Sequence, residues 1–140
     1  MSDPHPLNVP ELQDRLGRSP FIAFLGLTVT EANPTRQLVT MTLPMRPEFE
    51  RGSGSGQWHG GPIAAVIDTV GDYALVMMLG RPLPTINFRV DYLRPAVNTA
   101  LTATARVRRA GRSVGVVDVD VTDGDGNLVA VGRAAYSTLM

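Results

Sequence analysis

Apolar and polar residues recur with two different periods along this chain, and the changes of period mark its elements. Residues 10–18 place Leu12 and Leu16 four apart, with Pro10 near the start and Gly17 or Pro20 as the stop, which predicts a short helix. Residues 21–27 are apolar and lead into Thr28, Val29 and Thr30. Asn33 and Pro34 supply a turn, and residues 36–43 alternate as a strand. Residues 45–58 read as a loop containing Pro47 and a Gly/Ser run at 52–56. Residues 62–80 then form the strongest helix of the chain. Pro62 suits its first position, Gly80 its stop, and it is apolar nearly all round, so it is expected to be buried on most sides.

A buried helix needs a cover, and the rest of the chain supplies one. Period-two alternation returns four times: Ile86, Phe88, Val90 and Tyr92; Leu101, Ala103, Ala105 and Val107; Val117, Val119 and Val121; and Leu128, Ala130, Gly132, Ala134 and Tyr136. Each run has one face for a core and one for water or a partner. Residues 110–112 and 123–127 read as hairpin connections. Two strands, a helix and four strands predict an α+β domain. Its antiparallel sheet curves around one long central helix, as in the hotdog fold, with a short N-terminal helix in front. Residues 1–20 are read as an extension and 21–140 as one domain. One sheet around one helix leaves a sheet face and an edge open, so a homodimer or homotetramer is expected.

Composition narrows the chemistry. The 140 residues include no Cys, and all 13 basic residues are Arg. Thiolate nucleophiles, Cys-based metal sites, Schiff bases and a P-loop lysine are therefore excluded. Only two histidines occur, His5 and His59, and a His-rich metal site is not expected. Zero net charge argues against nucleic acid as a partner. The N-terminus lacks the pattern of a signal peptide, and Asp68 and Asp72 interrupt the longest apolar stretch, so a cytoplasmic protein without a membrane partner is expected. Residues 123–127 resemble the start of a calcium loop, but the sixth and twelfth places hold Leu128 and Ala134, so a turn is expected. The Gly/Ser run matches neither a dinucleotide-binding loop nor a nucleophile elbow. It is read either as a flexible connection or as a binding loop.

Residues 58–68, Trp-His-Gly-Gly-Pro-Ile-Ala-Ala-Val-Ile-Asp, resemble the His-Gly-Gly-x6-Asp motif of hotdog-fold acyl-CoA thioesterases of the phenylacetate-degradation type. Val90-Asp91-Tyr92-Leu93-Arg94-Pro95 is similar to the strand that follows the helix in that family, and the turns at 110–113 and 125–129 are similar too. The resemblance spans roughly residues 26–139. It implies hydrolysis of an acyl- or aryl-CoA thioester, with coenzyme A as part of the substrate and no metal or other cofactor. It also implies an active site at a subunit interface.

The residue types agree with that chemistry. An acid two turns into an apolar helix is costly unless paired or proton-bound, and an acid held in that way suits a general base for water. Asp68 is the expected base or nucleophile. The bland alternative is a polar residue at an interface. Gly60 and Gly61 let a ligand approach the open amides of the helix start, and the resemblance assigns the Gly60 N–H to the thioester carbonyl. His59 either contacts the substrate or holds the loop. Thr85 resembles the family's hydroxyl that places water or substrate. Where relatives carry a loop Asn this chain has Ser53, with Gln57 as a possible substitute. Asp72, one turn after Asp68, is expected to support structure. Arg106, Arg108, Arg109 and Arg112 cluster on one hairpin and form either a phosphate clamp or a solvated face. Two other functions remain: a hotdog enoyl-CoA hydratase or dehydratase using His59 with Asp68, and an acyl-CoA-binding protein without catalysis.

Overall fold

A computed structural model describes residues 5–140; residues 1–4 of the expected extension lie outside them. Helix α1, Val9–Leu16, opens on a reciprocal cap in which Asn8 accepts from the Glu11 amide and Glu11 accepts from the Asn8 amide. Leu12 and Leu16 are buried in the same core as the later strands. Residues 20–25 differ from the expectation of a lead-in to the first strand. They form a second helix, α2, Pro20–Leu25, because Ser19 caps it, Pro20 starts it and Gly26 in the left-handed conformation ends it. The division drawn at residue 20 therefore lands on the first residue of α2.

Strands β1, Thr28–Asn33, and β2, Leu38–Leu43, form the first hairpin. The loop that follows contains one 3-10 turn, Pro47–Phe49, and leads to helix α3, Gly60–Leu79. Four strands complete the chain: β3, Thr85–Tyr92; β4, Leu101–Ala110; β5, Val114–Thr122; and β6, Leu128–Ser137. All pairings are antiparallel, and the sheet runs in the order β1-β2-β4-β5-β6-β3. This is the hotdog arrangement, with α3 lying in the curve of the sheet. Residues 123–127 are the β5–β6 turn, with Asp123 Oδ1 accepting from the amides of Asp125 and Asn127.

By length and composition α3 is apolar enough to cross a membrane. Ten of its residues, from Ile63 to Met77, are buried in the fold, which makes it the core helix. Val117, Val119 and Val121 from β5 and Ala103 and Ala105 from β4 lie under it, as alternation predicted. Leu128 and Val129 depart from the simple pattern. The register slips next to Thr122, and Val129 turns inward while Leu128 is exposed. The larger departure is β3. It sits at the end of the sheet beyond β6, and three of its four expected core residues are open: Ile86 at 53%, Phe88 at 40% and Tyr92 at 53% exposure.

Candidate active site

The start of α3 is fixed from below by the loop before it. The rings of Phe49 and Trp58 stack with centroids 5.5 Å apart, the Trp58 indole donates to Thr99 O at 2.8 Å, and the His59 amide donates to Phe49 O at 2.8 Å. The Gly/Ser run is tied down too, since the Gly56 amide donates to Glu50 Oε2 at 2.7 Å. These contacts present the first turn of α3 in one orientation.

His59 is the N-cap of α3, and its Nδ1 accepts from the Gly61 amide at 3.0 Å. One glycine amide is thereby used. The Gly60 N–H, pointing out of the helix start, has no acceptor among the described residues. On the other side of Gly60, the Tyr92 hydroxyl donates to Gly60 O at 2.6 Å. Partial burial pushes the Tyr92 phenol upward, so it holds its proton for this bond. A side chain at residue 60 would crowd the Tyr92 ring at 3.1–3.4 Å, so glycine is needed for this close approach.

Asp68 is half-buried, two turns along α3. Thr85 Oγ1, at the first residue of β3, donates to Asp68 Oδ1 at 2.8 Å and fixes the carboxylate. The backbone is fixed as well: the buried Tyr136 hydroxyl donates to Asp68 O at 2.7 Å. It reaches α3 through the space left by Gly71, where a Cβ would stand 2.5 Å from that hydroxyl. Asp72 lies one turn further. Burial, and then the charge of Asp68, push its carboxyl up to about 7.

A cleft of about 430 Å³ opens beside Gly60, lined by His59, Gln57, Tyr92, Arg51 and Arg94 among others. Gln57 thus stands in the cleft, while Ser53 is exposed on the loop and does not line it. Nor does the arginine hairpin. Arg108 pairs with Asp118 at 3.5 Å, Arg106 lies opposite Asp118 in the β4–β5 register, and Arg109 and Arg112 line a separate hollow at the hairpin tip. Sequence reasoning assigned no role to Tyr92, Arg51 or Arg94. Tyr92 read as an ordinary strand residue, and no local pattern marks the two arginines, which converge only through the fold.

A hotdog sheet whose central helix opens on a free amide and carries an acid two turns on defines the class of hotdog thioester hydrolases. Comparison with known proteins agrees. Residues 55–130 match the model of the thioesterase superfamily. A protein of Halobacterium salinarum that carries an esterase name is 35% identical over 126 residues, 82% of each chain. The acyl-coenzyme A thioesterase PaaI of Escherichia coli is 30% identical over 110 residues, 78% of this chain and 75% of PaaI. A solved structure described as a thioesterase superfamily protein superposes with a TM-score of 0.86 at 36% identity, covering 92% of this chain and 96% of the other. The chain belongs to the thioesterase superfamily.

Proposed function

We propose that the protein hydrolyses acyl- or aryl-CoA thioesters to the free acid and CoA, in a site built from two copies of the chain. The observation that carries this reading is the placement of β3. The two chemical groups lie eight residues apart on α3, about 12 Å at 1.5 Å per residue. That is too far for both to reach one carbonyl carbon. Yet β3 starts at Thr85, bound to Asp68, and ends at Tyr92, bound to Gly60. It is also the open, apolar edge of the sheet. A second copy pairing antiparallel along β3 brings the Thr85 end of one chain against the Tyr92 end of the other. Asp68 of one copy then faces Gly60 of its mate, twice per dimer. The copies of PaaI named above and the superfamily match support acyl-CoA as the substrate class.

In that site the Gly60 N–H receives the thioester oxygen as it gains charge. Asp68, oriented by Thr85, takes a proton from water, and the water oxygen attacks the carbonyl carbon. The tetrahedral species collapses, the C–S bond breaks, and the thiolate leaves with the proton. Direct attack by the carboxylate, giving an anhydride that water then opens, uses the same geometry. His59 serves by capping the helix and committing the Gly61 amide, which leaves the Gly60 amide for substrate. Gln57 lines the approach. Arg51 and Arg94, beside the same amide, are the arginines placed to meet CoA phosphates; the hairpin set of Arg106, Arg108, Arg109 and Arg112 is the competing clamp.

Thiol release from a panel of acyl-CoAs tests the reading. Wild type is expected to release CoA, and Asp68→Ala to lose at least about a hundredfold in kcat. Unchanged activity in Asp68→Ala rejects the mechanism, and turnover of an enoyl-CoA without thiol release would give the hydratase instead. Co-expressing Asp68→Ala with Gly60→Pro, which removes only the amide hydrogen, tests the shared site. About a quarter of the sites, half of those in mixed dimers, should recover activity if each site draws on both copies. Arg51→Ala with Arg94→Ala should raise KM for acyl-CoA and spare N-acetylcysteamine thioesters, which lack phosphates.

A further inference from the structure

The mechanism above leaves one buried acid on α3 unused. Asp72 lines a cavity of about 360 Å³ between α3 and the two N-terminal helices, together with Ile22, Val76, Tyr73, Ser19 and Arg15. Its Oδ1 is shut off from solvent and has no hydrogen-bond partner among the described residues. A buried acceptor without a donor is a free-energy cost that a ligand hydroxyl in the right place removes. The walls are divided in the same sense: Ile22 and Val76 offer carbon surface, while Ser19 and Tyr73 offer hydroxyls.

Resting on the thioesterase reading, we propose that this cavity receives the acyl portion of the substrate and that Asp72 selects acyl or aryl groups bearing a hydroxyl. Side chains four apart on a helix stand about 5–6 Å from one another. A thioester carbon held at Asp68 therefore leaves the β-position of the acyl group, or the substituents of a small ring, within reach of Asp72. A plain alkyl group covers the carboxyl and leaves its acceptor unmatched. A carboxylate-bearing group meets like charge from both acids. A hydroxyl satisfies the acceptor and adds no charge. Near neutral pH the carboxyl of Asp72 is present both ionised and proton-bound, and a hydroxyl pairs with either, as donor to one and acceptor from the other.

The test compares kcat/KM within two pairs: phenylacetyl-CoA against 4-hydroxyphenylacetyl-CoA, and butyryl-CoA against 3-hydroxybutyryl-CoA. Wild type is expected to favour the hydroxylated member of at least one pair by about tenfold or more, as sites built to bond a substrate hydroxyl do. Asp72→Leu should abolish that preference, and Asp72→Asn, which keeps an acceptor, should retain part of it. Ile22→Phe, which fills the cavity without touching the acid, should shift turnover toward shorter acyl groups. No hydroxyl preference in wild type, or the same ratio in Asp72→Leu, overturns the role of Asp72. If Asp72→Leu fails to fold, the ratios of wild type and Asp72→Asn decide. An unchanged chain-length profile in Ile22→Phe overturns the cavity as the acyl site. Thiol release from every substrate with no such preference rejects this assignment alone, whereas no thiol release from any substrate rejects the thioesterase reading with it.

Discussion

The two edges of the sheet are built on opposite plans. At the β1 edge the outward residues Thr28, Thr30 and Glu31 are polar, and a bulge lies between Val29 and Glu31. The side chain of Gln13 on α1 satisfies that edge directly, donating to Leu27 O at 3.0 Å and accepting from the Val29 amide at 2.8 Å. These are devices that prevent a strand from adding to an edge. At the β3 edge, Ile86, Phe88 and Tyr92 are open, and no helix crosses the strand. Both edges end the same sheet, so position alone does not explain the contrast. One edge is closed within the chain, and the other is left for a second copy. The ends of that open edge carry the two groups of the candidate site.

The strongest way to break this contrast is to make β3 resemble β1. Ile86→Asp with Phe88→Asp places charge on the open face. The expected outcome is a monomer by light scattering, with a little-changed melting temperature and at least about a hundredfold loss of thioesterase activity, because neither half-site is complete alone. A dimer that persists, or a monomer that stays active, refutes the shared site.

The middle effect concerns the helix between the edges. On α3, Leu75 and Met77 are sealed, whereas Asp72 borders a cavity and its carboxyl is raised to about 7 from an unfolded value near 4. A raised acid favours the folded state below its unfolded pKa, and that contribution is lost as pH rises through its folded pKa. Asp72→Asn should therefore gain stability over wild type at pH 8, by roughly 1–3 kcal/mol, with the gain shrinking toward pH 4. Denaturant unfolding at the two pH values measures it. A gain independent of pH would mean that Asp72 does not titrate in this window.

The smallest effect sharpens the β1 side. Gln13→Leu removes both bonds to the edge and should lower stability by about 1–2 kcal/mol. Faster hydrogen exchange should follow at the Val29 amide, with oligomeric state unchanged. A new, larger oligomer would show that Gln13 alone keeps that edge closed.

Much of this architecture is legible along the chain. The central helix follows from its apolar run between Pro62 and Gly80, and β4, β5 and β6 follow from alternation. Asp68 and Gly60 follow from the spacing of the His59 motif, which lies within one helix. Helix α2 was hidden because six apolar residues carry no period, and its Ser19 cap and Gly26 stop mark it only in retrospect. Tyr92 was hidden because alternation gives the face of a strand and not what the side chain meets there.

The sequence by itself determined the helix, the strands and the order of chemical groups along α3, because those depend on near neighbours and on period. Only the tertiary structure decided that β3 lies beyond β6, that Thr85 meets Asp68 while Tyr92 meets Gly60, and that Arg51 and Arg94 share a cleft with that glycine. These pairings join residues far apart in the chain. They arise from how the sheet closes around the helix, which no local pattern of residues encodes.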